Sequence, residues 1–100
     1  MSFYSVLFVS PTVDDWIPGY LNAVTALVER HGGKYLARTA SHERLEGEGE
    51  DAAVRVIIEW PSRESALAFM KDADYAPHLE ARTAGSTSHH FLIEGKDDVE

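Results

Sequence analysis

Phe3-Tyr4-Ser5-Val6-Leu7-Phe8-Val9, closed by Ser10-Pro11, is the stretch on which the fold of this chain turns. It is dense in aromatic and branched residues, as a strand requires, and both of its faces are apolar. Tyr4, Val6 and Phe8 fall on one side, Phe3, Leu7 and Val9 on the other. Such a strand needs cover on both faces. The run is also too short to span a membrane and no basic leader precedes it, so no membrane partner and a cytoplasmic location are expected.

Outward from this strand, Asp14 and Asp15 are suited to cap a helix whose first turn tolerates Pro18. Ile17, Leu21, Val24, Leu27 and Val28 form its apolar stripe, and Gly32-Gly33 stops it near His31. Lys34 to about His42 reads as a second strand, with Tyr35, Ala37 and Thr39 on one face and Leu36, Arg38, Ala40 and His42 on the other. Glu43 to Asp51, with five acids and two glycines, reads as an exposed hairpin connection. Val54, Val56, Ile58 and Trp60 then alternate with Arg55, Ile57 and Glu59 in a third, central strand. Ser62 caps a second helix carrying Ala66, Leu67, Phe69 and Met70 inward. Asp74 caps a further short helix with Tyr75, His78, Leu79 and Arg82 on one face. Thr87 to Glu94 alternates as a last strand, so residues 1–95 form one domain and 96–100 an acidic tail.

The order strand, helix, strand, strand, helix, strand predicts an α+β sandwich of ferredoxin-like βαββαβ type, a four-stranded antiparallel sheet with its helices on one face. The uncovered face, with Tyr4, Val6 and Phe8 on it, predicts a homodimer whose two sheets pack together.

Composition narrows the function. Seventeen acids against nine Lys and Arg leave a formal charge of -8, which repels a phosphate backbone, so no nucleic-acid partner is expected. The chain has no cysteine, which removes disulfides, thiolate catalysis and cysteine metal sites. Five histidines are present, but His89 and His90 are strand neighbours on opposite faces and no helical His-x-x-x-His pair occurs, so no metal site is expected. Gly47-Glu48-Gly49-Glu50-Asp51 is followed by a strand, not a helix N-terminus, and is no phosphate loop.

Gly32 to Arg38, Leu45-Glu46-Gly47, Val56 to Ala66, Tyr75 and Arg82, taken in order, resemble the DUF1330 family of dimeric α+β barrels, a likeness that runs over roughly residues 3 to 95. The resemblance implies a dimeric barrel and a pocket between sheet and helices, where relatives in the superfamily bind small molecules without a shared chemistry. The chain departs from the family pattern at Thr39-Ala40, where a Gly-Gly pair usually follows the arginine, and in the loop 48–51, which lacks the usual Trp-Pro. Both changes alter the pocket rim, where the β-carbons of Thr39-Ala40 occupy a place that the family tends to keep bare.

Four residues stand out as a candidate site. Arg38 and Glu59 are charges in strands that otherwise read as half-buried, with Arg38 binding a carboxylate or enolate oxygen and Glu59 as the catalytic acid or base. The other reading is a structural ion pair, between the two or across a dimer, since structural pairs perturb charges just as sites do. Tyr75 and Arg82 share a helical face and offer a phenol donor and an anion clamp. Their alternative roles are a core cap for Tyr75 and a buried stem with a solvated head for Arg82. Trp16, Tyr20, Trp60 and Phe69 read as core or dimer residues. The set points to a homodimer that binds a small anionic or carbonyl ligand with no bound cofactor, with enzyme and binder both open. A non-catalytic dimeric module and a haem- or metal-binding barrel stand as the alternatives.

Overall fold

A computed structural model describes residues 2–99 of the chain. The elements run β1 (Phe3–Pro11), α1 (Ile17–Arg30), β2 (Lys34–Thr39), β3 (Val54–Trp60), α2 (Arg63–Lys71), α3 (Ala76–Ala84) and β4 (Ser86–Glu94). The strands make one sheet in the order β2-β3-β1-β4, with every neighbouring pair antiparallel. This is the ferredoxin-like α+β sandwich that the element order implies, with the second helical segment divided into α2 and α3.

All three helices lie on one face. Ser5, Leu7 and Val9 of β1 are buried beneath them with Val56, Ile58 and Trp60 of β3. The helices supply Val24, Leu27, Val28, Ala66 and Phe69 to the same core. Cross-strand register sets the alternate residues together on the other face. There Tyr4 lies opposite Glu59 and Ile93, Val6 opposite Ile57 and Phe91, and Phe8 opposite Arg55 and His89. Ile57, Phe91 and Ile93 are exposed there, so both faces of β1 are apolar while the helices cover only one.

The turn after α1 requires both of its glycines. Gly32 takes a φ of 79°, the left-handed region that closes a helix. A methyl group on Gly33 would sit 2.7 Å from both Trp60 and Val28, so that position packs backbone directly on the core.

Four local expectations are revised. Trp16, not Asp14 or Asp15, takes the N-cap position of α1, without a side-chain cap bond. Its indole Nε1 instead donates to the carbonyls of Val13, at 2.8 Å, and Gly85, at 3.0 Å, which ties the turn before α1 to the end of α3. Strand β2 ends at Thr39, because the Thr39 hydroxyl accepts from the Ser41 backbone N–H at 2.9 Å and turns the chain. Tyr75, not Asp74, takes the N-cap position of α3, since Asp74 is drawn to Arg30 at 2.9 Å. Ser62 does cap α2, accepting from the Ser65 N–H at 3.1 Å.

The fourth revision moves a site residue. Tyr35 pairs with Ile58 and Arg38 with Val56, with a bulge at Leu36 between them. Strict alternation puts Tyr35 and Arg38 on opposite faces, but the extra residue brings both to the helix face. Arg38 also lies on an edge strand and is exposed, not half-buried.

Candidate functional site

Between the sheet and α1 the core leaves a cavity of about 100 Å³. Its walls are Leu7, Val9 and Val54 from the sheet and Ile17, Tyr20 and Leu21 from α1, with Arg38 and Arg82 as its charged members. Arg38 also lines a wider groove with Thr25, Thr39 and Ala40, and so stands at the mouth. Thr39-Ala40, the departure from the family's glycines, carries its side chains along this rim.

Arg82 sits on α3 and is only 4% exposed. Its Nε and Nη1 are buried with no hydrogen-bond partner, and no carboxylate forms an ion pair with it among the described residues. A guanidinium taken out of water in this way costs several kcal/mol unless an anion meets it. The chain carries a large excess of acids, yet the neighbour the structure gives this cation is the ring of Tyr20, 5.9 Å away. Arg38 at the mouth also lacks a carboxylate, stacking 3.9 Å over the Tyr35 ring and donating to Thr25 Oγ1 at 2.8 Å.

Tyr20 and Tyr75 meet through their hydroxyls at 3.3 Å. Burial, reinforced by Tyr75, raises the Tyr20 phenol above its ordinary value, so it stays protonated. Burial raises Tyr35 in the same direction, against the opposing pull of Arg38. Tyr75 is 1% exposed, packs on Phe69 with ring centroids 4.2 Å apart, and lies behind Tyr20, outside the cavity wall.

His90 faces the same side of the sheet. Trp60 Nε1 donates to Ser5 Oγ at 2.8 Å, and the same hydroxyl is hydrogen-bonded to His90 Nε2, also at 2.8 Å. Burial first, and then the charge on Arg82, push His90 down to about 4, so the ring is neutral. His31 is instead engaged by Asp72 at 2.7 Å, a hydrogen bond that holds the Asp72 carboxyl below its ordinary range. Among the described residues no three His, Asp or Glu side chains converge.

Of the four residues singled out by sequence, Arg38 and Arg82 therefore share one cavity and Tyr75 stands behind it. Glu59 is separated from them. It lies on the helix-free face, where it accepts from the Tyr4 hydroxyl at 3.3 Å, so it neither joins the cavity nor pairs with Arg38. Tyr20, which sequence reasoning assigns to core or dimer packing, belongs to the cavity. The available signal is its position beside Ile17 and Leu21, where a polar-tipped ring interrupts an apolar helix stripe.

A family model described as a domain of unknown function (DUF1330) matches residues 2–96. No curated protein matches the sequence. Among solved structures, the chain is similar to RPA0582 of Rhodopseudomonas palustris, a protein of unknown function, with 18% identity and a TM-score of 0.79 over 96% of this chain and 83% of that one. It is also similar to a dimeric ferredoxin-like protein of unknown function from Jannaschia sp. CCS1, with 10% identity and a TM-score of 0.76 over 94% of this chain and 99% of that one. A third similar structure is a point variant of SnoaB, a cofactor-independent oxygenase from Streptomyces nogalater, with 19% identity and a TM-score of 0.65 over 98% of this chain and 95% of that one.

Proposed function

The chain belongs to the DUF1330 family, and from that premise we propose that it works as a homodimer binding a compact anion in the cavity between sheet and α1. The observation that carries this reading is Arg82, a buried guanidinium whose Nε and Nη1 meet no partner. Native proteins pair such groups, and an anionic ligand is the partner that this site lacks. Arg82 is the anchor, and Arg38 at the mouth attracts and admits the anion. Tyr75 supports Tyr20 from behind.

The dimer half of the reading rests on the exposed Ile57, Phe91 and Ile93 beside Val6 on the helix-free face, and on the dimeric state named for the Jannaschia protein. A two-fold partner laid sheet to sheet covers that face. Glu59 and Tyr4 then belong to the interface. SnoaB shares the fold at 19% identity, and fold alone carries no chemistry, so the reading is one of binding, with no oxygenase activity taken from it.

Thermal unfolding in buffer of low ionic strength tests the site. Replacing Arg82 with Met removes an unpaired buried charge at similar volume, and Arg82→Met is expected to be more stable than the parent by about 1–4 kcal/mol without ligand. The parent Tm is expected to rise on adding small carboxylates, since binding to the folded state alone stabilises it by about 2.7 kcal/mol at a hundredfold excess over Kd. The variant should not respond. A parent Tm indifferent to every anion, or a variant that responds equally, overturns the reading.

A further inference from the structure

We propose a second site, independent of the anion cavity, in which His90 receives a small uncharged alcohol with a hydrocarbon body. The place is a hollow of about 170 Å³ between α2 and the edge strand β4. It arises because α2 packs mainly over β1 and β3 while α3 packs on β4, and because Ser5 sets only a small side chain on β1 beneath the gap.

The wall is hydrocarbon apart from one corner. Ala66, Leu67 and Met70 come from α2 and Leu92 from β4, and of these only Ala66 is fully buried. Ser5 and His90 make the polar corner. Ser5 is 1% exposed, and its hydroxyl is already engaged by Trp60 Nε1 and by His90 Nε2, each at 2.8 Å. His90 has its second ring nitrogen, Nδ1, to spare. Among the described residues Nδ1 has no partner, yet the buried side-chain atoms that lack one are those of Arg82 alone. Nδ1 is therefore reached from outside the core, and the hollow is what His90 borders there.

The chemistry of the occupant follows from this corner. Burial lowers His90 to about 4, so the ring is uncharged near neutral pH. A neutral imidazole nitrogen donates or accepts according to its tautomer, and a hydroxyl, which does both, meets it in either state. A water placed on Nδ1 would face hydrocarbon on its other sides, where a held water needs about three polar partners. An alcohol makes the one hydrogen bond and lays its hydrocarbon against Leu67, Met70 and Leu92. Apolar cavities of about 150 Å³ take up a benzene ring, so a single six-membered ring suits this hollow.

Titration of the parent and of His90→Leu with benzyl alcohol, toluene and glycerol tests this, followed by calorimetry and, in the parent, by the NMR signals of the His90 ring nitrogens. Benzyl alcohol and toluene share a body and differ by the hydroxyl, whereas glycerol has hydroxyls without the body. The affinity for benzyl alcohol relative to toluene is expected to be about three- to tenfold higher in the parent than in His90→Leu, as one neutral hydrogen bond allows. Toluene should bind both proteins, which shows that the hollow persists in the variant, and glycerol neither. Benzyl alcohol should move the Nδ1 signal of the parent more than toluene does, a readout that needs no variant. An equal ratio in the two proteins, an Nδ1 signal that benzyl alcohol leaves in place, glycerol binding more tightly than benzyl alcohol, or no binding of benzyl alcohol by the parent each overturns the proposal. None of these outcomes touches the anion site.

Discussion

A guanidinium buried to 4% exposure is costly by itself, and Arg82 is held there by its neighbours: Tyr20 faces its head, and Ser86 bonds its backbone carbonyl. From the sequence, the spacing puts Arg82 on one helical face with Tyr75. A spacing does not say whether a long side chain ends in water or in the core, because stem and head can part. Nor does it reveal that no acid reaches the site, which depends on where the other chain segments fall. His90 is a second residue whose state only packing defines. With its pKa lowered from 6.5 to about 4 by burial and by Arg82, the unfolded chain takes up a proton that the folded chain refuses. This lowered value means that stability falls as pH drops from 6.5 through 4, and that His90 contributes no slope above that window. Chemical denaturation at about pH 7 and about pH 5 should therefore show a smaller loss in His90→Gln than in the parent. Equal losses would place the proton uptake elsewhere.

Among the elements, those with strong periodicity are the legible ones. The stripe from Val24 to Val28, the alternation from Val54 to Trp60 and the Ser62 cap all stand in the structure as the sequence implies. The element that resists is β2. Lys34-Tyr35-Leu36-Ala37-Arg38 has no glycine to announce a bulge, and the bulge at Leu36 is imposed by pairing with β3. It is also what brings Arg38 to the cavity mouth. Because Leu36 is the residue left out of the register, its deletion keeps Tyr35 opposite Ile58 and Arg38 opposite Val56. The deletion variant is expected to lose less than about 1 kcal/mol in urea denaturation and to keep its response to carboxylates. Loss of that response in a folded variant would mean that the bulge sets the site in some other way.

For the whole molecule, the two-sided apolar pattern of β1 leads from sequence to assembly. The structure bears out its premise, since one face is under helices and the other lies open with Phe91 57% and Ile93 50% exposed. Sedimentation equilibrium at micromolar concentration is expected to give twice the 11.1 kDa of one chain. Phe91→Asp, which sets a charge on the face that the paired sheets would bury, should bring the mass back to one chain. A parent that sediments at 11.1 kDa would remove the dimer and leave the anion site untouched. A crystal structure grown with saturating pyruvate, a small carboxylate, tests that site. A carboxylate is expected within hydrogen-bond distance of Arg82 Nε or Nη1 between the sheet and α1. Arg82 still without an anion, or pyruvate ordered only elsewhere on the molecule, would contradict it.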